Sequence, residues 1–519
     1  MLKVCKENEV DNSDDNKEII SDEQYELMLL NACNNFSAEA KAWSNNNQAS
    51  SVGIDSCNNG GWSVAAPLPD CSNSSLDSLK IAARLDSLKS RAIRAARRCA
   101  ELEFQLANEA AQAADRAQTS TAMASSRARG QFVSGPLDER HLKHLLQHEY
   151  SVTGTSIVEP LLQRFWRALI DWVPMNAAPN ALTLAGLMMN ASSAVLLLIY
   201  SPDAKQDIPA WLLLYAAFAL FVYQTLDALD GKQARRTGSA NQLGELFDHG
   251  CDAANTLLVT LSLSVATGLG HTPKLMLVQC ASSMTLFFVA HWIAYITGKI
   301  MFGMFDVTEA QLCCMGVFIA TAFGGVNGLW GVSVLPGGIL LRHVQVLIYL
   351  TTSSSLYFRL AYCISQGGAG KNGSTVANTS IIFPGVVWLM LIVITAAVSN
   401  KSPSLFFDRP CLFITAFGAA SVKICERLIV AHMTRTELAV WDSGLLGPAL
   451  LVVNQYFNEP LSEGVALYLA AIIGLADVVQ YSARLCRQIA SYLGVQVLTI
   501  NGNNSGGGSD RNLRPRKSH

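Results

Sequence analysis

The sequence has little charge. Only 15% of its 519 residues are Asp, Glu, Lys or Arg, against a hydrophobic share of 50%, whereas a soluble domain carries about 25% charged residues. The shortage is uneven: residues 1 to about 140 are polar, and long apolar runs dominate the rest. A net charge of −2 and the lack of a basic, aromatic-interleaved patch argue against nucleic acid as a partner. A basic start followed by an apolar core is also missing. Met1 to Tyr25 is acidic and rich in Asn and Ser, so no cleavable signal peptide is expected and targeting falls to the first membrane span. The 13 cysteines show neither zinc-ligand spacing nor a disulfide framework. Several, such as Cys313 and Cys314, lie in apolar runs and read as small buried hydrophobes.

The chain divides by composition. Residues 1–75 are poor in large hydrophobes and read as disordered. From Leu76 to Ala114 there is no Gly or Pro and much Ala, Leu, Arg, Lys and Glu, which suits a helix. Leu-Asp-Ser-Leu-Lys occurs there twice, at 76–80 and 85–89, but no heptad is sustained. A solvated, partly helical extension (1–140) fits better than a coiled coil or a basic membrane-surface helix. In the next segment, 141–178, residues 159–173 put Leu161, Leu162, Phe165, Trp166, Leu169, Ile170 and Trp172 largely on one helical side. Arg164, Arg167 and Asp171 fall mostly on the other, as in an amphipathic helix lying in the headgroup layer.

Candidate spans of about 20 apolar residues, the length a bilayer core needs, follow within 179–486. They lie near 181–200, 209–228, 250–270, 276–297, 309–330, 340–363, 380–399, 410–431, 443–458 and 464–484. The expected fold is therefore all-α: a polytopic helical membrane protein of about ten transmembrane helices, with a flexible tail at 487–519. Lys232, Arg235 and Arg236 follow the second span, and Arg511, Arg514, Arg516 and Lys517 lie in the tail, while the loops at 201–208 and 270–275 hold one lysine each. This bias places that face and both termini in the cytosol. Asn372 and Asn378 begin Asn-x-Ser/Thr sequons, and this topology leaves them unglycosylated.

Acids are costly in such a chain and usually mark a working site. Asp227 and Asp230 are three apart at the end of the second span, and Asp248 and Asp252 are four apart at the start of the third. Both spacings put a pair on one helical face. If the linker from Gly231 to Phe247 returns the helices antiparallel, four carboxylates converge at the membrane edge. Their repulsion calls for a cation. All-oxygen ligation suits Mg²⁺ or Mn²⁺, with room for two ions. Gly231, Ala234 and Gly244 leave space for a ligand or a neighbouring helix. Lys232, Arg235 and Arg236 can neutralise phosphates. The set reads as a membrane enzyme using a diphosphate donor and a divalent metal. A transporter with buried acids is the rival reading, but internal repeats and mid-membrane breaks are not evident.

The pattern D-x-x-D-G-x-x-A-R-x8-G-x-x-x-D-x-x-x-D is complete at Asp227, Asp230, Gly231, Ala234, Arg235, Gly244, Asp248 and Asp252. It resembles the signature of the CDP-alcohol phosphotransferases. Flanking text resembles the eukaryotic choline/ethanolamine branch: H-E-Y-S at 148–151, E-P-L-L at 159–162, P-N-A-L-T at 179–183, H-W-I-A-Y-I-T-G-K at 291–299, F-D-V-T-E at 305–309, V-A-H-M-T at 430–434 and G-P-A-L-L-V-V-N-Q-Y-F-N at 447–458. The resemblance covers about 145–485. It implies transfer of phosphocholine or phosphoethanolamine from CDP-choline or CDP-ethanolamine to diacylglycerol, releasing CMP. It also implies a homodimer in the endoplasmic reticulum and/or Golgi membrane with its site facing the cytosol. Carried over by residue, Asp227, Asp230 and Asp248 are the core metal ligands, with Asp252 at the second metal or acting as base. Gly231, Ala234 and Arg235 line the CDP site, with Asn180 nearby. A phosphatidylinositol-type synthase shares the core motif; Glu245, His249 and the long body favour the choline/ethanolamine branch. Three outcomes stand open for the general base. One is His249 oriented by Glu245 one helical turn away, one is Asp252, and one is neither. His291 and His432 lie near span ends and fit a structural role in the acceptor pocket.

Overall fold

The computed structural model describes residues 135–500. The extension expected to be disordered at 1–75, the helix expected at 76–114 and residues 501–519 of the tail lie outside the described residues. The described chain is helical apart from two two-stranded ribbons.

A short helix, α1 (Glu139–Leu146), precedes the expected interfacial one. Asp138 caps it, accepting from the backbone N–H groups of Arg140 and His141. Its Leu142 and Leu145 are buried against Leu243, Leu246, Met433 and Ile489. Strand β1 (Val152–Thr153) leads to α2 (Glu159–Leu169), the amphipathic segment. Its apolar residues do not all face one way. Trp166 is buried under the ammonium of Lys232, 5.3 Å from the ring centroid, while Leu161 and Phe165 are exposed, as is Trp172 just beyond. Outward apolar residues on a helix anchored inward by one tryptophan suit a lipid boundary.

The body begins with α3 (Pro179–Tyr200), α4 (Ala210–Thr237), α5 (Gln242–Ala266) and α6 (Pro273–Thr297). Strand β2 (Ile300–Met301) then pairs in parallel with β1. Next come α7 (Val307–Gly324) and the short α8 (Val326–Trp330). The expected single span at 309–330 is thus broken: Gly325 has φ 72°, a conformation open to glycine, and stops the helix. A ribbon of β3 (Ser333–Leu335) and β4 (Ile339–Leu340) leads to α9 (Leu341–Gln366). Then follow α10 (Phe383–Lys401), α11 (Pro403–Asp408), α12 (Pro410–Thr434), α13 (Leu446–Tyr456) and α14 (Glu463–Leu493).

Six of these, α3, α4, α6, α7, α10 and α14, are long and apolar enough to cross a membrane. The protein is a polytopic helical membrane protein. The expected ninth span, 443–458, is a 3-10 turn followed by only 11 helical residues, about half of a bilayer core at 1.5 Å per residue. The expected tail from 487 starts late, because α14 stays helical to Leu493. Its last turns bury Leu485, Ile489, Tyr492 and Leu493 against the cluster that holds α1.

One end of the bundle gathers the starts of α3 and α7 and the ends of α6, α12 and α14. Val158 N–H donates to Glu309 at 2.8 Å, Tyr295 OH donates to Thr436 O at 2.7 Å, and Val376 N–H donates to Tyr295 O at 3.0 Å. Residues 367–382, with both sequons, belong to this end. Enzymatic deglycosylation is expected to leave the gel mobility of the protein from eukaryotic cells unchanged. A shift abolished by Asn372→Gln or Asn378→Gln would put this end in the lumen and invert the topology.

Candidate metal and nucleotide site

The turn between α4 and α5 is shorter than the linker read from sequence. Helix α4 runs through Gly231 to Thr237, and only Gly238 to Asn241 lie between the helices. Gly238 takes φ 65°, and Asn241 caps α5 by accepting from Gly244 N–H at 3.1 Å. The helices therefore reverse at once. One carboxylate oxygen each from Asp227, Asp230 and Asp248 lies within 4.8 Å of the others.

These three acids are compensated unequally. Asp230 is buried and accepts a short hydrogen bond from the Thr183 hydroxyl on α3. Asp227 Oδ1 and Asp248 Oδ1 are buried with no hydrogen-bond partner. Unpartnered carboxylate oxygens at this separation repel strongly in a low-dielectric setting. An all-oxygen set with orphaned buried atoms fits a hard cation. Asp252 stands outside this trio; its Oδ1 accepts from Tyr223 OH at 2.5 Å. Gly186 on α3 makes the Thr183 contact feasible. A Cβ there would sit 3.2 Å from the Tyr223 Cα, a tight contact that would press α3 and α4 apart by a few tenths of an ångström.

A cavity of about 570 Å³ opens beside the trio, lined by all three acids, Gly231, Arg235 and His249. Residues 148–150 form one wall and 493–497 another. Gly231 and Gly244 both line this space. A Cβ at Gly231 would meet only the Arg235 guanidinium at 3.4 Å, and one at Gly244 only Asn180 Oδ1 at 3.7 Å. Ala234 also lines the cavity.

The three basic residues of the motif separate. Arg235 reaches the cavity and forms no ion pair among the described residues. Arg236 instead donates to Ile170 O at 2.7 Å and Val173 O at 2.8 Å, and Lys232 covers Trp166 and donates to Ala228 O at 3.0 Å. Arg236 fastens the segment after α2 to α4, as does Gln233, which donates to Pro174 O at 2.9 Å and Ala177 O at 3.1 Å, while Lys232 packs α2 itself against α4. Of the three, Arg235 is left for a phosphate. The Asn180 amide, expected near the nucleotide, donates to Val497 O at 2.9 Å and ties down the C-terminal wall.

Glu245 does not orient His249. Its carboxylate meets His148 Nε2 at 2.8 Å, because α1 docks beside the start of α5 and delivers His148 there. His249 is buried, its Nδ1 without a partner, its ring 6.1 Å from Tyr150 and 5.2 Å from His291. Tyr223 and Thr183 escaped assignment in the sequence. Tyr223 had a usable signal, being one helical turn before Asp227, and Thr183 closes the quoted P-N-A-L-T block. The wall at 493–497 had none.

The family model described as CDP-alcohol phosphatidyltransferase matches residues 176–341, a stretch that contains the whole trio. The chain belongs to that family and is a membrane-embedded CDP-alcohol phosphotransferase. It is 41% identical to "Cholinephosphotransferase 1" of Danio rerio over 366 residues, which span 70% of this chain and 96% of that protein. The Xenopus laevis protein of the same name is 41% identical over 376 residues, 72% of this chain and 92% of its own. The Homo sapiens one is 41% identical over 369 residues, 70% and 90% respectively.

Removing the hydroxyl beneath Asp230 tests the support of the trio. Thr183→Val should raise the divalent-ion concentration giving half-maximal activity by roughly 10- to 100-fold, the usual cost of losing a group that holds a ligand. Activity titrated with Mg²⁺ or Mn²⁺ measures it, and an unchanged midpoint would deny Thr183 that role.

Proposed function

We propose that the chain transfers phosphocholine or phosphoethanolamine from CDP-choline or CDP-ethanolamine to the free hydroxyl of diacylglycerol, releasing CMP. The observation that carries this reading is the Asp227–Asp230–Asp248 convergence beside Arg235, in a chain 41% identical to proteins named for choline phosphotransfer. In this reading Asp227, Asp230 and Asp248 would hold Mg²⁺ or Mn²⁺, and Asp252, kept in place by its hydrogen bond from Tyr223, would lie beside a second ion. Bound there, the metal neutralises the diphosphate and the charge that develops on the transferred phosphoryl group.

The protein's own groups do the rest. Arg235 pairs with a phosphate, which a guanidinium does in a fixed fork. Gly231, Ala234 and Gly244 let the nucleotide lie against bare backbone, while Asn180 holds the C-terminal wall beside it. The diacylglycerol oxygen attacks the phosphorus that carries the choline or ethanolamine ester. The P–O bond to CMP breaks, its electron pair leaves on CMP, and the hydroxyl proton passes to His249. We assign the base to His249 over Asp252, whose carboxylate is engaged by Tyr223 and stands among anions. Glu245 acts at one remove, by fixing His148 in the cavity wall.

Ten crossings follow: the six apolar helices, the 25- to 26-residue helices α5, α9 and α12, and the segment 436–456, in which the half-length α13 completes a crossing begun by the non-helical chain before it. The site then faces the cytosol from an endoplasmic reticulum or Golgi membrane.

Microsomes from cells lacking their own enzymes provide the test. Given diacylglycerol, Mg²⁺ and each CDP-alcohol separately, the chain should form the matching phospholipid from at least one donor. Chelation of the metal or Asp248→Asn should abolish it. His249→Ala should slow turnover by about 100-fold or more, the scale of a lost general base, while still binding CDP-choline. No product from either donor would end the reading; full turnover in His249→Ala would remove that residue from the mechanism.

A further inference from the structure

Four histidine rings gather at the cavity, His148 and His249 in its lining and His291 and His432 behind them, and their partners are unequal. His148 is committed to Glu245 at 2.8 Å, and His432 lies edge-on to it with ring centroids 5.2 Å apart. His249 and His291 form the other pair, also 5.2 Å apart and near perpendicular at 73°. In this second pair each ring keeps one buried nitrogen without a partner, Nδ1 on His249 and Nε2 on His291. Two imidazoles joined by a direct N–H···N bond have centroids about 5 Å apart, from a bond of roughly 3 Å plus the reach from each ring centre to its nitrogen.

The tautomer of His291 is set from its other side. Its Nδ1 lies 3.1 Å from Phe287 O, one turn earlier on α6. A carbonyl only accepts, so Nδ1 carries the proton and donates, and Nε2 is left as a bare acceptor. The Phe287 ring, 4.5 Å away, fixes the plane. A bare acceptor next to an unpartnered nitrogen can take one thing from it, a proton-bearing N–H. His249 lines the cavity and His291 does not, so His291 stands where it can act on the reaction through His249.

We infer that His291 is a positioning residue. By accepting from His249 Nδ1–H across a small rotation of either ring, it holds His249 in the tautomer whose Nε2 is unprotonated and free to face the acceptor hydroxyl. This rests on the reading of His249 as the base, and it supplies the orienting partner that Glu245 does not. It also ties the base to α6, a helix outside the aspartate motif, so the geometry of proton removal is set separately from that of metal binding.

Two variants and a cycle test it. His291→Phe keeps an aromatic ring against Phe287 but has no acceptor; His291→Gln keeps an acceptor. His291→Phe should lower kcat by about 10- to 100-fold, the scale of a misplaced catalytic group, with KM for CDP-choline and metal-dependent CDP-choline binding unchanged. His291→Gln should recover most of that loss. In a His249→Ala background, His291→Phe should cost nothing further, because residues acting as a unit are not additive. Wild-type kcat in His291→Phe, equal losses in Phe and Gln, loss of CDP-choline binding in both, or additive losses in the double variant would each overturn the inference. Full turnover in His249→Ala alone would remove the base itself, which separates failure of the underlying reading from failure of this one.

Discussion

Three carboxylates held within 4.8 Å of one another inside a bundle of apolar helices are the constraint on which this structure turns. Left alone they would push α4 and α5 apart, since charges at that range interact strongly where water is scarce. The surrounding sequence answers locally. A four-residue turn with glycine in a left-handed conformation reverses the chain at once. Gly186 lets α3 press on α4, so Thr183 can reach Asp230, and Tyr223 draws Asp252 aside. What these contacts leave open, the two orphaned oxygens of Asp227 and Asp248, is the part that a divalent cation would satisfy.

The cavity beside the trio is assembled from segments far apart in the chain. Helix α1 packs its leucines against α5, α12 and α14, and thereby carries His148 to Glu245. Asn180 hydrogen-bonds the backbone of Val497 and closes the opposite wall. Arg236, Gln233 and Lys232 hold the interfacial segment down on α4. The motif helices thus supply the charged floor, and flanking segments shape the walls. In the proposed reaction, a donor with a charged head and a membrane-borne acceptor would meet where these two contributions join.

Much of this was legible in the sequence because the signals are local. Helical spacing put Asp227 with Asp230, and apolar runs located the long helices, whereas the same spacing also counted Asp252 with Asp248, and the Tyr223 hydroxyl holds Asp252 outside the trio. Other parts depend on which segments meet in space, which spacing along one helix does not encode. Glu245 and His249 are four apart, so sequence pairs them, yet docking of α1 hands Glu245 to His148. Arg235 and Arg236 are adjacent, and only the path of residues 170–177 separates a cavity-facing guanidinium from an anchoring one. The break at Gly325 and the half-length α13 hide inside runs whose hydropathy alone looks continuous.

Divalent-ion binding to the purified protein tests the central claim most directly. If the trio is a metal site, Mn²⁺ should bind without nucleotide and raise the midpoint of thermal unfolding as its concentration rises, as any ligand of the native state must. Asp248→Asn should abolish both effects while remaining folded. Equal Mn²⁺ binding and equal stabilisation in the wild type and Asp248→Asn would contradict the account, because the three carboxylates would then be held together by something other than the ion.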